Sequence, residues 1–450
     1  MINKVYYLPK GTEPTDAVVN NLLTGDIREK QLKHYDRLYS YMMSEPVASR
    51  PKPHEMLAVT NHARYITKTN VGYLLGNPVQ YLVSEGFNID EVVNNYRRQT
   101  IGNLDAELAK DASVFGHAFE RIYTDEHTEP WSTRIDPRNI ILVYDDTVKH
   151  EKMFAIIYVQ STNEKGEYVD GEYDATILTP TTIMERKLKG GRLVQVSEIE
   201  DSEHAYGEVP IVEYLNDSDR VGDFEPVISL IDAYNILQSD RVIDRERLVD
   251  AILAFYGSDF DEEQRKELKE SRMLSNLPVD AKIEYIVKNI NEADADVLRQ
   301  TLATDIHKIS MTPDMSDEEF AGNSSGVALS YKLLAFEQHI KEKERYFENA
   351  LMDRFRLYSV FLNTAKNIAI VPIEEVDAVF KRALPQNNLE ISQMILNLTG
   401  VVDKETLVSQ LDFVTDAKET VALAAKEEER AITAGDNYGT DEPNEPEDEE

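Results

Sequence analysis

Between Val327 and Ala365 the apolar residues recur at three- and four-residue steps: Val327, Tyr331, Leu334, Ile340, Phe347, Leu351, Phe355, Tyr358 and Leu362. No proline or glycine interrupts the stretch. The period predicts one helix, roughly 58 Å long at 1.5 Å per residue, with one face buried along its length. The fifteen residues before it, TPDMSDEEFAGNSSG from Thr312 to Gly326, have the opposite character, with Asp314, Asp317, Glu318 and Glu319 crowded ahead of two glycines. They read as a loop that belongs in water or beside a charged partner. Helix–helix connectors usually have two to eight residues, and longer ones tend to be functional. Ser316 and Glu319 form a capping box for a short helical turn within it, and Asn323, Ser324 or Ser325 caps the long helix.

Upstream, VYYLP reads as a short strand, and the spacing of Leu32, Tyr35, Leu38 and Met42 as a helix ended by the Pro-rich link from Pro46 to Pro53. Ala63, Ile66, Asn70 and Tyr73 share a helical stripe that Gly76, Asn77 and Pro78 stop before the strand VQYLV. A helix from Glu91 to about Phe115 leads into alternating segments from His117 to Ile199, with turn signals at Lys165-Gly166, Asp170-Gly171 and Gly190-Gly191. That pattern predicts antiparallel hairpins, and residues 1 to about 222 therefore form an α+β domain around an antiparallel sheet.

The composition changes at Val221-Gly222-Asp223, and Phe224-Glu225-Pro226 opens a helix whose apolar face is Val227, Leu230, Ile231, Tyr234 and Leu237. Its continuation, QSDRVIDRER, is polar nearly all round. Residues 250–289 read as strand, helix, strand, and Glu292 to Ser310 as a helix leading back. The chain thus makes an excursion that carries a small αβ module away from the main domain. After Lys366 the pattern predicts a returning strand pair, then two or three helices from Leu389 to Ala434 with little apolar surface for a core of their own.

Four hundred and fifty residues with 42% hydrophobic content suffice for two or three globular domains. The absence of cysteine excludes disulfide, thiolate-nucleophile and Cys-ligated zinc chemistry, and fits a reducing compartment. The N-terminus lacks the apolar core of a signal peptide, and no run of eighteen apolar residues exists, so no membrane role is expected. A formal charge of −35 argues against a protein that grips nucleic acid through a Lys/Arg surface, while permitting nucleic acid to pass without sticking. The tail after Gly435 carries eight acids and no base, and reads as disordered.

No catalytic constellation stands out. There is no P-loop, no GxGxxG, no HExxH and no EF-hand loop, and His54-Glu55 and His62 have the wrong spacing for a helical zinc pair. Lone histidines such as His117 and His307 read as packed or surface residues. The acid clusters Asp145-Asp146 and Asp314/Asp317/Glu318 are of a type that binds Mg²⁺, and equally of a type found in solvated loops.

Three stretches carry a resemblance: NHARYITKTNVGYLLGNPVQY (Asn61 to Tyr81), FEPVISLIDAYNILQSD (Phe224 to Asp240) and PDMSDEEFAGNSSGVALSYKL (Pro313 to Leu333). Together, in this order, they resemble the portal proteins of tailed bacteriophages, in the SPP1-type group, over about residues 10 to 430. The resemblance implies the α+β portal fold: a wing at 1–223, stem helices at 224–250 and 291–311, a clip between them at 251–290, and a tunnel loop at 312–326. A long helix at 327–366, returning wing strands at 367–388, helical crown at 389–434 and acidic tail at 435–450 complete it.

It further implies a non-enzymatic ring of twelve subunits at one capsid vertex of the virion, assembled in the host bacterial cytoplasm, with double-stranded DNA passing through its channel. The partners it implies are the terminase large subunit, which hydrolyses ATP, a head-tail adaptor, and capsid and scaffolding proteins; no cofactor is implied. Asp314, Met315, Ser316, Asp317, Glu318, Glu319, Phe320, Asn323, Ser324 and Ser325 match the loop that faces DNA. Arg241, Arg245 and Arg247 in the stem-like helix either present basic rings to the channel or pair with Asp240, Asp244 and Glu246. The resemblance puts terminase and adaptor contacts in the clip, where Arg265, Lys266 and Lys269 lie. The alternative is a metal-dependent DNA-processing enzyme using Asp314, Asp317 and Glu318.

Overall fold

The computed structural model describes residues 4–45, 58–196, 200–249, 252–256, 282–286, 292–315, 331–382, 388–411, 414 and 417–436. Outside the described residues lie the Pro46–Pro53 link, His54-Glu55, the clip helix with Arg265, Lys266 and Lys269, and the tail beyond Asp436. So do the loop caps Ser316, Glu319, Asn323, Ser324 and Ser325, and residue Val327. The chain forms two compact units, Met1–Asn323 with Leu329–Ala383, and Ser324–Ala328 with Leu384–Glu450.

The first unit begins with β1 (Tyr6–Leu8), α1 (Asp16–Thr24), α2 (Asp26–Met42), α3 (His62–Leu75), β2 (Gln80–Val83), α4 (Asp90–Arg98) and α5 (Ile101–Phe115). Nine strands follow: β3 (His117–Thr124), β4 (Pro130–Ile135), β5 (Ile140–Asp145), β6 (Lys152–Thr162), β7 (Tyr168–Leu178), β8 (Thr182–Lys189), β9 (Arg192–Gln195), β10 (Ser202–Glu203) and β11 (Ile211–Leu215). The expected antiparallel order holds for β5-β6-β7-β8-β10, with β9 on β8, and for a second sheet, β11-β3-β4. One pairing departs from it, because β1 runs parallel to β5. Alternation along β5, β6 and β7 buries Ile141, Val143, Phe154, Ile156 and Ile177 beneath α1, which contributes Val19, Leu22 and Leu23. The α1 helix was not apparent in the sequence pattern.

The excursion is α6 (Ile228–Val249), entered by a 3₁₀ turn at Glu225–Val227, then the antiparallel strands β12 (Ile252–Tyr256) and β13 (Lys282–Ile286), then α7 (Glu292–Ile309). The bases of α6 and α7 pack on α2, α3 and α5 through Phe224, Val227, Ile231, Tyr234 and Ile306. Ser239 and Ile243 are buried within the polar continuation of α6, so that segment has an inward face after all.

The long helix α8 runs Leu334–Lys366, about 50 Å at 1.5 Å per residue, and ends on Asn367 in the left-handed conformation. Ile340, Phe347, Leu351, Phe355, Tyr358 and Leu362 are buried as the period predicts, but Tyr331 is 74% and Leu334 51% exposed. At 100° per residue Leu333 and Phe336 share the phase of Ile340 and Phe347, whereas Tyr331 and Leu334 lie on the opposite side of the helix, so Leu333 and Phe336 take the inward positions. Deep in α8, the fully buried Arg354 donates to Glu120 (2.8 Å) and Asp105 (2.6 Å), so the buried guanidinium meets two carboxylates rather than an apolar wall.

Three further expectations are corrected. The single helix 91–115 is two, because Thr100 turns left-handed at φ 51°; beside the break the Gln99 side chain donates to Pro130 O (2.9 Å) and Tyr358 Oη (3.1 Å) and accepts from Ser132 N (2.8 Å). Asp170-Gly171 is no turn: it lies inside β7, where Gly171 at φ +70° serves an irregularity in the β6–β7 register. The strand pair after Lys366 is one strand, β14 (Val376–Val379), whose partner is β2, with Val376 opposite Val83.

The second unit contains α9 (Asn388–Leu398), α10 (Lys404–Val408) and α11 (Ala417–Asp436). Asp403 caps α10 by accepting from Thr406 N (2.8 Å). Among the described residues of this unit, Leu407 and Val414 are the buried apolar ones, which matches the shortage of apolar surface in the sequence.

Candidate functional site

The acidic loop leaves the C-terminus of α7, and its root is held by side chains from other elements. Met311 adopts a left-handed conformation at φ 54°, which turns the chain sharply out of the helix. His307 Nδ1 then donates to Thr312 O (3.0 Å), and Thr312 Oγ1 donates to Asn70 Oδ1 on α3 (3.1 Å). One helical turn before Asn70, Tyr65 Oη donates to Pro313 O (3.0 Å) and accepts from Met315 N (2.8 Å). Asn61 Oδ1 caps α3 by accepting from Arg64 N (2.7 Å), so these donors and acceptors sit on a properly started helix.

An aromatic cluster packs beneath the root. The ring of His62 meets Tyr234 edge-on at 4.7 Å and His307 at 5.6 Å, and Tyr65 meets His307 at 5.5 Å. His62 Nε2 is buried without a hydrogen-bond partner. Burial pushes the His62 imidazole down to about 4, reinforced by the neighbouring His307 and opposed by Asp314.

Asn70 links this root to the centre of the unit by donating through Nδ2 to Asp223 Oδ2 (2.8 Å). The same buried carboxylate accepts from Ser113 Oγ (2.6 Å), Asn216 Nδ2 (2.9 Å) and Lys343 Nζ of α8, with His339 Nε2 at 3.7 Å. Burial alone would raise the Asp223 carboxyl, but Lys343, His339 and the donated hydrogen bonds outweigh it and hold it well below the usual carboxylate range. Two residues on, Glu225 accepts from Lys4 Nζ (2.9 Å) and Gly222 N (3.0 Å), with His34 Nε2 at 2.8 Å. Burial opposes ionisation there too, and these partners overcome it, bringing Glu225 down to about 2. The root of the loop, the entry to α6 and the long helix thus share one buried polar chain, Thr312–Asn70–Asp223–Lys343.

Of the residues singled out for the DNA-facing loop, Asp314 is half-buried at the root, with Oδ2 3.8 Å from His307 Nε2, and Met315 is exposed. Ser316, Asp317, Glu318, Glu319, Phe320, Asn323, Ser324 and Ser325 lie outside the described residues. Arg241 Nη1 donates to Gln238 Oε1 (3.3 Å) and lies 3.9 Å from Asp296 Oδ1 of α7, to which Arg299 Nε also donates (3.0 Å). Arg245 is exposed on α6, and the side chain of Arg247 is outside the described residues. At the other acid cluster, Asp145 Oδ1 accepts from Thr147 N (3.2 Å), Thr147 Oγ1 (2.8 Å) and Glu151 N (3.1 Å), the pattern of a turn-capping carboxylate. Among the described residues no group of three or more His, Cys, Asp or Glu side chains is placed to hold a metal ion.

Sequence reasoning missed Tyr65, Asp223 and Lys343. The signal was present for two of the network's members: Asn70 and Lys343 are polar residues at positions where the helical period calls for apolar ones, and a buried polar group needs a partner.

The family model described as phage portal protein, SPP1 Gp6-like, matches residues 24–434. A portal protein of Bacillus phage SPP1 is 23% identical over 430 residues, covering 89% of this chain and 81% of that protein. A portal protein of Clostridium phage phiCD119 is 21% identical over 400 residues, covering 84% and 86% respectively. Among the described residues, no helix is long and apolar enough to cross a membrane.

Proposed function

This chain belongs to the SPP1 Gp6-like family of phage portal proteins, and from that membership we propose that it forms a twelve-membered ring at one capsid vertex of a virion. Double-stranded DNA enters and leaves through the channel of this ring. Residues 1–223 with the returning segment 367–388 act as wing, 224–250 and 291–311 as stem, 251–290 as clip, 327–366 as the long helix behind the loop, and 389–434 as crown. The clip, with Arg265, Lys266 and Lys269, meets the terminase large subunit and the head-tail adaptor, while the wing and crown meet capsid and scaffolding proteins. The ring assembles in the host bacterial cytoplasm.

Within it, the loop 312–326 faces DNA. The observation that supports this reading is the connection of its root: a loop tied through Thr312, Asn70 and Asp223 to Lys343 can pass a displacement to the long helix. Its acids suit a surface along which a polyanion moves, since a Lys/Arg lining would pair phosphates and hold them. The Arg241 contact with Asp296 favours its role as a tie between the stem helices over a phosphate ligand. No ATP is hydrolysed by this chain; the terminase supplies the work.

Deleting Met315 to Asn323 is expected to leave rings intact in electron micrographs and to lower the DNA packaged or retained per particle. Normal genome filling by that variant refutes the loop's role. Mg²⁺-dependent DNA cleavage lost on Asp317→Ala would instead establish the nuclease reading.

A further inference from the structure

Asn216, just after β11, has one half of its side-chain amide fully used and the other half unmet. Its Nδ2 donates to Val221 O (2.8 Å) and Asp223 Oδ1 (2.9 Å), which accounts for both hydrogens. Turning the amide over would set its oxygen against those two acceptors, so its orientation is fixed by its partners. The residue is only 4% exposed, yet among the described residues no group donates to Asn216 Oδ1. Native proteins rarely leave a buried acceptor in that state.

Asn216 also lines a cavity of about 10 Å³ between α3, α5, β11 and α8. A single water molecule requires a space of roughly this size. Leu74, Ala112 and Phe347 contribute apolar walls, and the polar groups are those of Asn70, Asn216 and Lys343. Lys343 gives one of its three N–H groups to Asp223 Oδ2, and Asn70 Nδ2 gives one of its two hydrogens to the same atom (2.8 Å). Both therefore keep donors to spend in the cavity.

This lining selects its occupant. A cation is repelled by the Lys343 ammonium, and an anion or an apolar group offers no hydrogen to the Asn216 oxygen. A small neutral molecule that both accepts and donates satisfies every group. We propose that the cavity is a binding site for one water molecule, which accepts from Lys343 Nζ and Asn70 Nδ2 and donates to Asn216 Oδ1. Asn216 N donates to Gly116 O (3.0 Å), so this water joins the end of α5 and the turn at 221–223 to the long helix. The inference stands on the folded chain itself and is independent of ring formation.

The test is a density map of the full-length protein at a resolution that shows ordered water, for wild type and for Ala112→Val, with the melting temperature of each. The wild-type map is expected to show a peak at roughly 2.7–3.2 Å from both Asn216 Oδ1 and Lys343 Nζ. In Ala112→Val the added methyl groups enter the cavity, so the peak is lost and the melting temperature falls as Asn216 Oδ1 is left unpaired. A dry cavity predicts the reverse, since filling it adds contacts and raises the melting temperature. That rise, a wild-type map without the peak, or a direct bond from Lys343 or Asn70 to Asn216 Oδ1 overturns the inference. Replacement of the peak by bromide in a bromide-soaked crystal does so too, because the site then takes an anion. If Ala112→Val fails to fold, the wild-type map alone decides.

Discussion

Lys343, in the third turn of the long helix, and Asp223, at the entry to α6, form an ion pair with essentially no solvent access to either side chain. The carboxylate is further satisfied by Asn70, Ser113 and Asn216, so the charge is buried with its hydrogen-bonding capacity used. A pair of this kind is weak evidence for net stability, because desolvation offsets attraction, but removing one member leaves an isolated buried charge.

Lys343→Met should therefore destabilise the protein by about 3–5 kcal/mol, and the double variant Lys343→Met/Asp223→Asn by less than the sum of the single changes. Urea unfolding of the four proteins checks this. Additive losses would show that the two residues are not coupled.

The chain crosses itself closely where α5 ends. Gly116 sits at φ +85°, and a Cβ there would lie 1.8 Å from the Arg220 carbonyl oxygen. Gly116→Ala should cost at least about 2 kcal/mol from the left-handed backbone and the clash together. A melting temperature within a degree of wild type would contradict this contact. Lys4 Nζ donates to both Phe115 O (3.0 Å) and Arg220 O (2.7 Å) at the same crossing, so the N-terminal strand should loosen with it.

Acid should weaken the loop root. His62, lowered to about 4 by burial, stays neutral in the fold where the unfolded chain at about 6.5 takes up a proton. The unfolded state then binds more protons, so the stability His62 contributes is full above about pH 6.5 and falls as pH drops toward 4. Glu225, held near 2, adds a second loss that begins below about 4.5. Replacing His62→Gln should flatten the stability profile between pH 6.5 and 4 while leaving the Glu225 limb in place. Thermal melts across that range, with wild type and variant compared at each pH, read the difference.

Periodicity alone was enough to locate α2, α3, the α6–α7 excursion, the long helix and most antiparallel strands, because helical and strand periods are local properties of the chain. Three motifs in order pointed to the portal family. What local patterning could not contain was the choice of partner. At the left-handed break after α4, the Gln99 amide bonds Pro130 O and Tyr358 Oη, and Tyr358 is 259 residues away. The β14 strand pairs with β2 rather than with a neighbour in sequence. Thr312, Asn70, Asp223 and Lys343 meet across sequence separations of 242, 153 and 120 residues. Polar residues at the core phase of α3 and α8 announced that partners must exist; only the packed structure, where desolvation makes an unpaired polar group costly, decided which they are.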